Sequence, residues 1–157
     1  MSRVARSARV ASRQRTESIT ASKTIEKAET GELYLVNVPN SAGTVAVTLP
    51  PAQEGAYFKF LWASDQVHDS SVFEIKTGGA AGTIQGVVQA IEVDATAAES
   101  AAEMDAGSAT KVGFTAAPDI HVGSWVECVS DGTNWIVNGC LYITAGGTEG
   151  DVIAWDA

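Results

Sequence analysis

The stretch GSWVECVSDGTNWIVNG, residues 123–139, constrains the fold more than any other part of the chain. Two alternating apolar runs flank Asp131-Gly132, and both of these residues tolerate the positive φ that a tight hairpin turn demands. Val, Ile and Trp suit the half-buried strands on either side. Trp125 and Trp135 stand on opposite arms at similar distances from the turn, placed to pack across it or against a neighbouring sheet. A chain built around such a hairpin is an all-β domain. The motif brings no chemistry of its own.

The remaining chain follows the same pattern. Thr44 to Leu49 alternates strictly, with Val45, Val47 and Leu49 on one face. Pro50-Pro51 ends this run because neither proline can donate to a ladder. Residues 56–62, AYFKFLW, set Phe58, Phe60 and Trp62 together and Lys59 opposite. Val72 to Thr77 places Phe73 and Ile75 against Glu74 and Lys76. Leu33, Leu35 and Val38 belong to a further run, stopped by Pro39-Asn40. Residues 84–93 read as a strand in which Gly86 marks a bulge or a close backbone approach. Lys111 to Thr115 reads as another.

Residues 16–30 suit short edge strands at Ile19 and Ile25, with a helical turn open to Glu26–Glu29; extended structure is favoured. Asp94 to Ala109, DATAAESAAEMDAGSA, is the one helix-friendly stretch, so a long acidic loop with one or two helical turns is expected there. Strands at roughly ten-residue intervals between Gly/Pro turns predict an antiparallel β-sandwich or barrel with an extended N-terminal arm. The expected divisions are an arm over 1–30, the β-domain over 31–143 and a tail over 144–157. The tail's Val152, Ile153 and Trp155 need burial, either by completing the sheet or on another subunit.

The net charge of −9 is unevenly spread over the 157 residues. Arg3, Arg6, Arg9, Arg13 and Arg15 have no acid among them. Beyond residue 15, five lysines stand against nineteen acids, giving −14. On a helix, Arg3, Arg6, Arg9 and Arg13 would share one broad face. The segment suits a terminal tail or an arm that orders on a partner. It also has a transit peptide's composition, although nothing downstream suggests an organelle enzyme. An acidic body repels nucleic acid and anionic membranes, so neither is an expected partner. No apolar run approaches the roughly 20 residues of a membrane span, and the N-terminal residues lack the apolar segment of a secretory signal.

Constellations for catalysis are thin. His68 neighbours Asp65 and Asp69, and His121 is remote in sequence; a hydrolytic or metal site needs more convergent ligands. Gly78 to Gly82 lacks the Lys-Ser/Thr of a phosphate loop and reads as a turn. Asp94, Glu99, Glu103 and Asp105 do not have EF-hand spacing. Cys128 and Cys140 are too few for a zinc site; they suit core packing or a disulfide, and the sequence leaves both open. Trp62, Trp125, Trp135 and Trp155 suit either a core or a glycan groove. No catalytic residue, metal or cofactor is assigned, and the chain is expected not to be an enzyme.

Several motifs occur in a recognisable order: Tyr34-Leu35-Val36, Thr44 to Leu49 with Pro50, Gly55-x-x-Phe58, Phe73-x-Ile75 and Ile84-x-Gly86. Gly123-Ser124-Trp125-Val126-Glu127 and Ser130-Asp131-Gly132-Thr133-Asn134-Trp135 follow. This cadence resembles the β-rich virion structural proteins of tailed bacteriophages, over roughly residues 30–140. The resemblance implies a sandwich or barrel that commonly trimerises and is attached to the virion by an N-terminal segment. The short length, without glycine repeats or heptads for a shaft, favours a capsid decoration (cement) protein. In that reading Arg3, Arg6, Arg9, Arg13 and Arg15 form a capsid-binding arm. They contact the major capsid protein on the outside of the shell, and Trp155 and Ile153 supply contacts within a homotrimer. The alternative is a tail or head fibre module that binds a host-surface glycan.

Overall fold

The computed structural model describes residues 14–40, 42–65, 71–79, 82–93, 100–115, 119–144 and 152–156. The strands are β1 (Thr16–Ile19), β2 (Lys23–Thr24), β3 (Leu33–Val36), β4 (Thr44–Leu49), β5 (Tyr57–Trp62) and β6 (Val72–Thr77). They continue as β7 (Ile84–Glu92), β8 (Ser100–Ala109), β9 (Lys111–Thr115), β10 (Trp125–Ser130), β11 (Trp135–Ile143) and β12 (Ile153–Asp156). A single 3-10 turn, Lys27–Glu29, precedes β3.

Two sheets pack into a β-sandwich; no closed barrel forms. The larger has the order β1-β3-β5-β10-β11-β7-β8 and the smaller β12-β9-β6-β4-β2. Both are mixed rather than purely antiparallel. From β1 to β7 the chain changes sheet at every strand. Strands two apart in sequence therefore become parallel neighbours: β1 with β3, β3 with β5, β2 with β4 and β4 with β6. Turn chemistry marks where a strand stops. It does not mark which sheet the next strand joins, so the alternation was hidden.

The hairpin that dominates the sequence is inserted at the middle of the larger sheet, between β5 and β7. Ser130 pairs with Trp135, so its loop is four residues long rather than two. Asp131 Oδ1 accepts the N–H groups of Thr133 and Asn134 at 2.7 and 2.6 Å, and Gly132 takes φ +96°. Trp125 and Trp135 do not pack across the turn. Strand alternation puts Trp135 in the core and Trp125 on the opposite face.

Inward residues of the strands close the core. Phe60 and Trp62 of β5 meet Phe73 of β6 at 5.8 and 5.5 Å between ring centroids, and Trp62 meets Phe114 of β9 edge-on at 5.6 Å. These contacts join the two sheets, in the offset and edge arrangements that aromatic quadrupoles favour. The buried indole of Trp135 donates to the carbonyl of Pro50 at 3.2 Å, which satisfies a polar group that burial would otherwise penalise.

The expected acidic loop at 94–109 is corrected by β8. Its residues 100–109 pair with β7, and tertiary pairing overrides the helix propensity of an alanine-rich run. Residues 94–99 lie outside the described residues. Gly86 does mark a bulge: the β7–β8 register shifts there, and a Cβ on it would stand 1.8 Å from the carbonyl oxygen of Val137. Residues 16–30, grouped with the arm by sequence, contribute an edge strand to each sheet. In the tail, β12 pairs with β9 and completes the smaller sheet, with Val152 and Ile153 buried.

Candidate functional site

Because side chains alternate along each strand, the larger sheet has an inner face on the core and an outer face away from it. Cross-strand register fixes what stands together on the outer face. One row reads Lys59, Glu127, Asn138, Val87 and Met104 across five neighbouring strands. The next reads Leu61, Trp125, Cys140, Gln89 and Ala102. A third holds Tyr57, Val129 and Ile136. Met104 is 72% exposed, and Val87, Val129 and Ile136 are each exposed by more than a third. Contiguous apolar surface of this kind marks interaction sites on folded proteins.

Toward the β8 edge of this face lies a shallow groove of about 400 Å3, lined by Gln85, Val87, Met104, Ile136 and Asn138 and floored by Gly86 and Val137. The two charges on the face carry their own partners. Lys59 Nζ lies 4.8 Å from the centroid of the Trp125 ring, and Tyr57 donates its hydroxyl to Glu127 at 3.2 Å. Burial and the Glu127 charge both push the Tyr57 phenol up, so it remains a donor. The outer face of the smaller sheet has another character: Lys111 sits between Glu74 and Asp156, at 3.6 and 3.0 Å. Lys76 pairs with Lys111 in register, with Thr48 beside it, and Gly113 stands opposite Glu74.

Two polar clusters were not legible by sequence distance. Lys23 donates to Glu17 and Glu29 at 2.7 and 3.0 Å, and a carboxylate oxygen of Glu32 lies within 4.8 Å of theirs. The Lys23 ammonium, also 5.0 Å from the Tyr34 ring centroid, already supplies the cation that three carboxylates attract. Elsewhere Asp65 reaches His121 at 3.4 Å, and His121 Nε2 reaches Thr144 Oγ1 at 2.9 Å. This has the order of a nucleophilic relay, but the Thr144 amide donates to Asp119 and Asp65 Oδ1 accepts the Val122 amide. The contacts tie three loops together, on side chains open to solvent. Asp65 thus pairs with His121; His68 and Asp69 lie outside the described residues.

The remaining sequence candidates are dispersed. Arg15 anchors β3 through its carbonyl, which accepts the Leu33 N–H at 2.9 Å. Arg3, Arg6, Arg9 and Arg13 lie outside the described residues. Ile153 is buried in the chain's own core, and Trp155 packs against that core. Of the four tryptophans, Trp62 and Trp135 are fully buried and Trp125 alone faces out from the larger sheet, so they do not line one groove. Cys128 is buried and Cys140 lies on the outer face; both are free thiols. Glu103 lies on β8, away from any described calcium loop. Asp94 and Glu99 lie outside the described residues, as does the Asp105 side chain.

No family model, curated protein or solved structure matches this chain. The phage resemblance rests on the sequence cadence alone. The outer face is not legible in the sequence, because only register brings Val129, Ile136, Val87 and Met104 of different strands onto one side. The nearest signal lies in β11, WIVNGCLYI, whose outward positions include Ile136 and Tyr142 as well as the polar Asn138.

Proposed function

We propose that this chain is a virion structural protein that binds the outside of an assembled phage capsid and stabilises it, and that it performs no catalysis. The observation that carries this reading is where the arginine-rich segment joins the fold. It enters at Arg15, on the edge of the larger sheet beside β3. A segment leaving from a sheet edge can extend along a neighbouring surface without disturbing the core. Arginine suits that task, since its planar fork pairs with carboxylates and backbone carbonyls of the major capsid protein. The sandwich is a rigid acidic body that faces outward and keeps particles apart. A ligand that binds only the assembled shell opposes its disassembly by mass action.

The test is copy number per purified virion, by quantitative mass spectrometry against the major shell protein. A ratio near that of a shell component supports decoration. A few copies per particle moves the assignment to a fibre module, and absence from particles removes the virion assignment.

A further inference from the structure

We infer that the outer face of the larger sheet is a self-association surface, and that its occupant is a second copy of this chain packed face to face. The inference concerns the free protein in solution, and it stands in place of the homotrimer that the phage resemblance implies.

Charge argues for a second copy. The body beyond residue 15 carries −14, so two copies repel over most of their surfaces. Among the described strand residues of this face, the only charges are Lys59 and Glu127, directly paired in register and summing to zero. The face is therefore neutral toward its own copy. A two-fold axis between β10 and β11, along the strands, lays Ile136 of each copy over Val129 of the other and keeps Met104 within the overlap, as an isologous contact allows. Both groups already have partners on their own face, so excluding water leaves neither orphaned.

Size argues the same way. About that axis six strands of each copy overlap; at about 4.8 Å spacing they span about 24 Å, and six residues at about 3.3 Å add about 20 Å, a flat area of about 480 Å2. Side-chain relief adds to that, and the sum suits the weak, transient class of interface below about 1,200 Å2 in total. Met104 and Ile136 project from the face, while Gly86 leaves a groove that receives a side chain from the opposing sheet. Sheets packed in this way lie about 10 Å apart, close enough for such interdigitation.

The experiment is sedimentation equilibrium of the full chain at about 10 to 100 µM, a range that reports typical micromolar association. Wild type should run at twice the chain mass. Met104→Lys with Ile136→Lys alters only exposed side chains and should keep the circular dichroism and thermal midpoint. It should raise the dimer dissociation constant at least about 100-fold, because charge buried in an apolar contact is strongly penalised. Lys59→Glu should weaken the dimer and adding Glu127→Lys should restore it, which a merely structural role for either residue does not predict. A monomer throughout this range overturns the proposal. So does a trimer, or a dimer indifferent to the paired lysines.

Discussion

Two glycines separate two kinds of backbone constraint. Gly132 takes φ +96°, but a Cβ there meets nothing closer than 3.5 Å. Gly132→Ala should therefore cost only the strain of a left-handed residue, about 1–2 kcal/mol, and Gly132→Val somewhat more. Gly86 combines φ +144° with a carbonyl oxygen 1.8 Å from the site of a Cβ, and that oxygen belongs to the backbone of β11. Gly86→Ala must push apart the paired strands β7 and β11 and should lower the thermal midpoint by more than Gly132→Val does. The reverse order in a melting experiment would show that the bulge is plastic. The thiols differ as sharply. Burial pushes Cys128 well above the ordinary thiol range, and burial raises Cys140 less completely. In native protein an aromatic disulfide reagent should modify Cys140 slowly and leave Cys128 untouched until denaturant is added. Equal rates would mean that the hairpin opens without global unfolding.

At the scale of elements, the cluster joining β1, β2, the 3-10 turn and β3 gives a pH dependence. For Lys23, burial lowers the pKa, but the Glu17 and Glu29 hydrogen bonds outweigh it and the net shift is upward. For Glu29, burial raises the pKa, but the Glu26 N–H and Lys23 outweigh it and the net shift is downward. The lysine contribution is complete below its ordinary value near about 10.5 and is lost as pH rises through the elevated one. The glutamate contribution is complete above about 4.3 and is lost as pH falls through the depressed one. Lys23→Met should therefore cost most on the plateau between these limits, about 1 kcal/mol, a figure discounted because Glu17 is 42% exposed. A Tm difference between variant and wild type that is flat from pH 3 to 11 would remove the cluster from the stability account. Fold class, the inward faces of β4, β5 and β6 and the Gly86 bulge were legible because period-two alternation reports burial directly. The sheet alternation, β8 and the strand that β12 joins were not, because they depend on pairing between segments far apart in sequence.

For the whole molecule, the arginine segment and the outer face of the larger sheet make separable contributions. The charge asymmetry that singles out the segment is visible in the sequence, whereas the face exists only once register aligns outward residues from different strands. Residues 14 and 15 already belong to the sandwich: the Gln14 side chain donates to the Gly31 carbonyl, and Arg15 accepts from Leu33. Removing residues 2–13 should leave the thermal midpoint and the self-association unchanged, while binding to shells that lack the protein falls sharply. Residual binding should also lose much of its salt dependence, because the lost contacts are ionic. The Met104→Lys, Ile136→Lys protein should behave oppositely. It should retain the arm and its salt-dependent docking, but bind shells more weakly than wild type, because two linked arms on a dimer raise the effective concentration of the second contact. Titrating both variants onto such shells at two ionic strengths resolves the contributions. If the truncated chain binds as tightly as the full one, the arm is not the attachment element, and the capsid contact must lie on the sandwich itself.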